Sequence, residues 1–140
     1  MIHATMITEL ELQVEGQGLF EITDRVQAAV NEQGLDQGLC TVFIAHTSAS
    51  LTLQENADPS AKTDLERWFE RLVPEDDPLY THTHEGPDDM PSHIKSALTS
   101  TSIGIPVLGG RLALGTWQGL YLFEHRHQPG NRRILLHLGN

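Results

Sequence analysis

Residues 38–54 read GLCTVFIAHTSASLTLQ, and the way this stretch folds decides the architecture. Leu39 to Ala45, entered through Gly38, is a dense apolar run with β-branched members, the pattern of a buried strand. His46 to Ser50 is small and polar, and Leu51 to Gln54 resumes as a second strand. Two such runs across a short polar turn predict a hairpin.

Upstream, Leu10, Leu12 and Val14 alternate with Glu9, Glu11 and Gln13, which marks a half-buried strand, and Gly16 and Gly18 punctuate a turn. Ile22, Val26, Ala29 and Val30 recur at helical spacing, with Thr23 placed to cap, Asp24 in the first turn and Gly34 to stop the helix. Downstream, Asp58-Pro59 is an acceptor cap followed by proline at the first helical position. Ala61, Leu65, Trp68, Phe69 and Leu72 then share one face until Pro74. Residues 74–90 form an acidic loop of a length that is usually functional or disordered. Pro91 opens a second short helix with Ile94, Ala97 and Leu98 expected inward, and His93 and Lys95 elsewhere. The remainder reads as strands: Ile103 to Leu108, a Gly109-Gly110 hairpin turn, Arg111 to Phe123, a turn at residues 129–131, and Ile134 to Leu138. This order implies an α+β fold in a single domain over residues 1–140, without internal repeats. The strands exceed what helices can cover on one sheet, so a second sheet or a subunit interface is expected to bury the rest.

Composition narrows the function. The 140 residues carry a formal charge of -10, and Lys62 and Lys95 are the only lysines. A phosphate backbone repels such a chain, so nucleic-acid binding is not expected. No run approaches the ~20 apolar residues of a membrane span. The N-terminal stretch lacks the features of a signal peptide, and the single cysteine, Cys40, sits among apolar neighbours as a buried residue. A cytoplasmic location is the expectation.

Chemistry concentrates in residues 81–95, THTHEGPDDMPSHIK, a segment rich in imidazole and carboxylate and poor in aliphatic side chains. These groups bind divalent metals and move protons near neutral pH. His84 and His93, with His46 from the end of a buried strand, supply the three nitrogen ligands of an open zinc-type site. Glu85, Asp88 or Asp89 can orient a ligand imidazole or act as a base on bound water. His82 is the weaker candidate, because two residues before His84 in an extended segment it points to the other side. Glu55 and Asn56 lie at a strand exit, suited to a pocket or a subunit contact. The glycines of Gly115-Thr116-Trp117-Gln118-Gly119 mark a bulge or a close approach, and Trp117 suits a core position or a pocket floor equally. Glu124 and Arg126 stand at a strand end, and Arg126, Arg132 and Arg133 form a local basic patch that can receive a phosphorylated ligand.

Three blocks, HTSASLTLQENAD (46–58), HTHEGPDDMPSHIK (82–95) and SIGIPVLGGRLALGTWQGLYLFEH (102–125), together resemble the YjbQ-like family. The resemblance spans nearly the whole chain. It implies an α+β fold with a β-sandwich-like core, a homotrimer, and a polar cluster matching His46, His84 and His93 that takes a divalent metal, zinc or magnesium. It also implies a weak thiamine-phosphate synthase activity, joining a pyrimidine pyrophosphate to a thiazole phosphate. Residues 125–130, HRHQPG, depart from the acidic-Gly-Pro-Arg run of many members. On this reading Glu85, Asp89 and Glu124 are the catalytic candidates. Glu55, Asn56, Trp117, Gln118, Arg126 and Arg133 are the substrate-binding ones. The alternatives are a metal-assisted hydrolase of a phosphorylated metabolite and a non-catalytic metabolite- or metal-binding module.

Overall fold

Alternation in the first strand holds: in β1 (Met6–Val14), Leu12 and Val14 are buried while Glu9, Glu11 and Gln13 face solvent. A computed structural model describes residues 5–139, so residues 1–4 and 140 of the expected domain lie outside the described residues. The elements that follow are β2 (Gly18–Glu21), α1 (Thr23–Gln33), β3 (Gln37–Ile44) and β4 (Ala49–Glu55). Then come α2 (Pro59–Leu72), α3 (Asp89–Leu98), β5 (Ser102–Leu108), β6 (Arg111–Leu112), β7 (Gln118–Glu124) and β8 (Gly130–Gly139). The strands form two antiparallel sheets, one in the order β1-β8-β3-β5-β6 and one in the order β2-β7-β4. The α+β class with a two-sheet core is therefore observed. Val42, Ile44, Leu120, Leu122, Ile134 and Leu136 fill the space between the sheets, closed by Val26 and Val30 of α1.

The expected hairpin does not form. β3 pairs with β5 and β8, whereas β4 pairs with β7, so residues 45–48 carry the chain from one sheet to the other. That segment lacks the Asn-Gly or Gly-Gly pair of a tight hairpin. Its polar groups are held instead by β8, with Ala45 N donating to Arg133 O at 3.2 Å. The Gly109-Gly110 hairpin does form, both glycines having the positive φ (60° and 75°) that such a turn requires. The strand after it ends at Leu112, however, and the chain crosses sheets through residues 113–117 before β7 begins. The glycine interruption is thus a crossover.

Helix starts are mixed. Asp58 caps α2 as expected, accepting from Ser60 N at 2.9 Å, and Gly34 ends α1 in the left-handed region. Thr23 does not cap α1. It lies inside the helix, where its hydroxyl donates to Glu21 and accepts from Leu120 N, locking the helix onto β7.

The larger correction concerns α3. Its buried residues are Asp89, Pro91, Ser92, Lys95 and Ser96, while Ala97 is exposed and Leu98 is 57% exposed. The polar face turns inward because it packs on the edge strand β4 and the chain after it: Ser96 Oγ donates to Ala49 O, and Thr99 bonds the Ser50 hydroxyl. Similarly, Trp68 and Leu72 of α2 stay half exposed, and only Leu65 and Phe69 pack onto Leu19, Tyr121 and Phe123.

β3 and β8 approach closely where Gly38 faces Gly139. A Cβ on Gly38 would lie 2.5 Å from the Gly139 carbonyl oxygen. Gly38→Ala is expected to lower stability by about 1–3 kcal/mol in urea denaturation, since a packed strand pair yields little to an added methyl. A variant as stable as the parent would show that the pair separates freely.

Candidate functional site

Glu124 ends β7 with its carboxylate 1% exposed, a position that demands full hydrogen bonding. Arg132 on β8 supplies two donors, Nε to Oε1 and Nη2 to Oε2, both at 2.5 Å. The backbone amides of His125 and Arg126 donate to Oε2 at 3.2 and 3.0 Å. Arg132 Nη2 also reaches the Ser48 hydroxyl at 2.9 Å, so one guanidinium ties β7, β8 and the 45–48 crossover together. His46, in that crossover, accepts at Nε2 from Arg133 N at 2.8 Å and faces Arg132 through Nδ1 at 3.3 Å. Burial, followed by the Arg132 charge, lowers its pKa.

A second arrangement sits on this base. Asp89 and His93, one turn apart on α3, meet His82 from the preceding loop. Asp89 Oδ2 lies 2.7 Å from His82 Nε2 and 3.2 Å from His93 Nε2. Among the described residues, this is the only group of three metal-ligating side chains whose ligand atoms all lie within 4.8 Å of one another. His93 Nδ1 donates to the Thr47 carbonyl at 2.9 Å, which places the lone pair of the neutral ring on Nε2, toward Asp89. Asp89 Oδ1 accepts from Arg126 Nη1 at 2.6 Å, leaving Oδ2 for the histidines. Arg126 also donates through Nε to Asp88 at 3.1 Å and through Nη2 to the Glu85 carbonyl at 2.8 Å. Burial alone would raise the pKa of Asp88, but the His127 amide and Arg126 hold it below the usual carboxylate range. Two imidazole nitrogens and one carboxylate oxygen, with His82 half open to solvent, suit a divalent transition metal better than magnesium, which prefers oxygen ligands.

The structure thus brings together Asp89 and His93 of the expected set, and replaces His46 and His84 with His82. His84 is exposed and makes no hydrogen bond among the described residues, and the Nε2 of His46 is occupied. His82 and His84 do not share the site, as expected of residues two apart, but the one that reaches Asp89 and His93 is His82 and the one left exposed is His84. The exposed Glu85 contributes its carbonyl to Arg126. Glu124 is 1% exposed and accepts from Arg132 and two backbone amides, so its carboxylate is committed to joining the strands. Arg126 is bound to Asp88 and Asp89, and Arg133 pairs with Glu9 at 2.7 Å on the outer face, so neither is a free phosphate receptor.

The remaining candidates lie at the other end of β7. Gln118 begins that strand and Glu124 ends it, a span of roughly 20 Å. Gln118 Oε1 accepts from Gly115 N, Glu55 from Asp58 N, and Asn56 donates to Glu21, so these side chains serve turns. Trp117 is 65% exposed in the same crossover, so it is not a core residue. Lys95 was read as lying off the inner face of its helix, and His125 only as part of the site-like strand end Glu124-His125-Arg126. Lys95 and His125 are 3% and 1% exposed, and His125 Nε2 bonds the Ser50 hydroxyl at 2.9 Å. A lysine on the polar side of a short helix, in a chain with only two, was the available signal.

Residues 8–140 match the family model described as UPF0047 protein YjbQ-like. The chain is 53% identical over 129 residues to the UPF0047 protein sll1880 of Synechocystis, covering 92% of this chain and 88% of that one. It is 46% identical over 127 residues to the UPF0047 protein YjbQ of Escherichia coli O157:H7, covering 90% and 91%. Among solved structures, an uncharacterised protein of the same family from Clostridium acetobutylicum superposes with a TM-score of 0.85 at 34% identity, covering 94% of this chain and 99% of that one.

His125 makes stability depend on pH. Burial, then the Lys95 and Arg132 charges, pushes its pKa down to about 3 from 6.5. The unfolded chain takes up this proton near pH 6.5 while the folded chain does not, so stability falls as pH drops through that interval, by about 1.4 kcal/mol per pH unit. Melting curves between pH 7 and 5 should show the parent losing more stability than His125→Gln. Equal losses would mean that His125 protonates without cost.

Proposed function

The chain belongs to the YjbQ-like UPF0047 family, and from that premise we propose that it is a divalent-metal-dependent enzyme acting on a small phosphorylated molecule. The observation that carries the reading is the His82–Asp89–His93 group, with the His93 tautomer set by the Thr47 carbonyl and the Asp89 orientation set by Arg126. Such preset ligands are what a metal-binding site needs and what satisfied loop histidines do not. A divalent cation held there supplies Lewis acidity and a water activated near neutral pH. Asp89 holds its orientation through Arg126, His82 is the ligand nearest solvent, and Asp88 keeps Arg126 in place. Thiamine-phosphate synthase activity, implied by the family resemblance, is the transfer reaction proposed for this site. Arg126 and Arg132 are committed to carboxylates, so they are not free to neutralise a departing pyrophosphate. That favours, as a second reading, metal-assisted hydrolysis of a phosphorylated metabolite.

We also propose that copies of the chain associate as a homotrimer. The outer face of the five-stranded sheet exposes Ile7, Leu39, Phe43 and Leu108, and Leu39 stands opposite Pro106 in the β3–β5 register. An exposed apolar sheet face of this kind suits burial against a different surface of another copy, the head-to-tail contact that closes a ring of three. Phe43→Glu should shift the mass measured by light scattering from trimer to monomer. A parent that is monomeric at every concentration would overturn the assembly.

Elemental analysis tests the metal. The parent should carry close to one equivalent of a transition metal per chain after equilibration with zinc. His82→Ala and His93→Ala should lose it, and His84→Ala should retain it. Full retention in both of the first two variants would overturn the site. Metal binding without turnover on phosphorylated metabolites would favour a non-catalytic binding module.

A further inference from the structure

A cavity of about 310 Å3 opens between α2 and the end of β7, and it shares no residue with the histidine cluster. Its lining includes Lys95 from α3, Arg67 and Glu70 from α2, the rings of Phe69 and Phe123, and His125. Lys95 is the unusual member. It is 3% exposed, yet none of the described ion pairs uses its ammonium. Lysine is almost never this buried without a partner, and a methionine would fill the same volume at no desolvation cost. Beside it, His125 Nδ1 is buried without a hydrogen-bond partner among the described residues. On the opposite wall Glu66 is held by Leu19 N at 2.8 Å, while Glu70 and Arg67 are engaged in none of the described ion pairs. Phe69 of α2 and Phe123 of β7 meet edge to face, with ring centroids 5.1 Å apart, and add an apolar patch to the lining.

We propose that this cavity binds a small carboxylate bearing a hydroxyl or amino group, with Lys95 receiving the carboxylate and Glu70 accepting from the hydroxyl or amino group. The volume is at the small end of ligand pockets and suits a metabolite of a few carbons. Phe69 and Phe123 cover its carbon skeleton. A phosphate dianion is disfavoured because Glu66 and Glu70 share the lining with the two cations. A plain alkyl carboxylate leaves Glu70 facing an apolar group, which removes its selectivity.

Calorimetric titration of the full chain with lactate, alanine, propionate and inorganic phosphate is the test. Lactate or alanine should bind saturably, with propionate and phosphate at least tenfold weaker. Lys95→Met should raise the Kd of the bound ligand at least tenfold while melting at or above the parent temperature, because an unpaired buried charge has been removed. Glu70→Gln separates the two ligand classes: it should weaken alanine tenfold or more and leave lactate within threefold, since the amide oxygen still accepts from a hydroxyl. Phosphate binding as tightly as lactate and alanine, no binding by any of the four, or unchanged affinity in Lys95→Met would each overturn the proposal. So would loss of binding in Lys95→Met together with a lower melting temperature, which would make Lys95 a structural contact.

Discussion

The pairing of Glu124 with Arg132 is the joint on which the molecule depends. It connects the end of β7, the central strand of one sheet, to β8, an inner strand of the other, at the corner where the chain crosses between them. A carboxylate so fully buried needs donors on both oxygens, and Arg132 with two backbone amides supplies four hydrogen bonds. Removing either partner would strand a charge in the interior, so the pair acts less as added stability than as a specification of geometry. Through Ser48 it also sets the path of residues 45–48. That path places the Thr47 carbonyl where it selects the His93 tautomer, and the candidate site inherits its precision from a salt bridge that is not part of it.

Helix α3 follows the same logic. An ordinary amphipathic helix would turn Ile94, Ala97 and Leu98 inward. Here the buried face carries Asp89, Ser92, Lys95 and Ser96, because it packs on an edge strand whose carbonyl and hydroxyl groups need partners. One helix thereby presents Asp89 and His93 to the loop cluster and Lys95 to the cavity under α2. The apolar side of that helix remains uncovered within a single chain, as does the outer sheet face with Phe43.

Where the sequence was readable, local chemistry outweighed long-range pairing. Asp58-Pro59 starts a helix, Gly34 ends one, and Gly109-Gly110 turns a hairpin, because each acts within a few residues. Asp89 and His93 were readable as candidates from residue type alone; the helix was expected from Pro91, and only its observed start at Asp89 puts the two one turn apart on one face. The choice between His82 and His84 was not readable. That His82 and His84 part company is expected of residues two apart, but which of them meets α3 is set by the path of the loop over the helix. Trp117, Gln118 and Glu124 were all candidates for one pocket, yet a seven-residue strand holds Gln118 and Glu124 at opposite ends.

By itself, then, the sequence determined the α+β class, the single-domain reading, the family and the segment in which the histidines and carboxylates gather. These follow from periodicity, caps and residue order. Only the tertiary structure decided that residues 38–54 span two sheets, that the polar face of α3 is the inner one, and that Lys95 and His125 are buried beside a cavity. Each of those depends on which distant strand satisfies a backbone or charged group, and such pairing is set by packing across the chain.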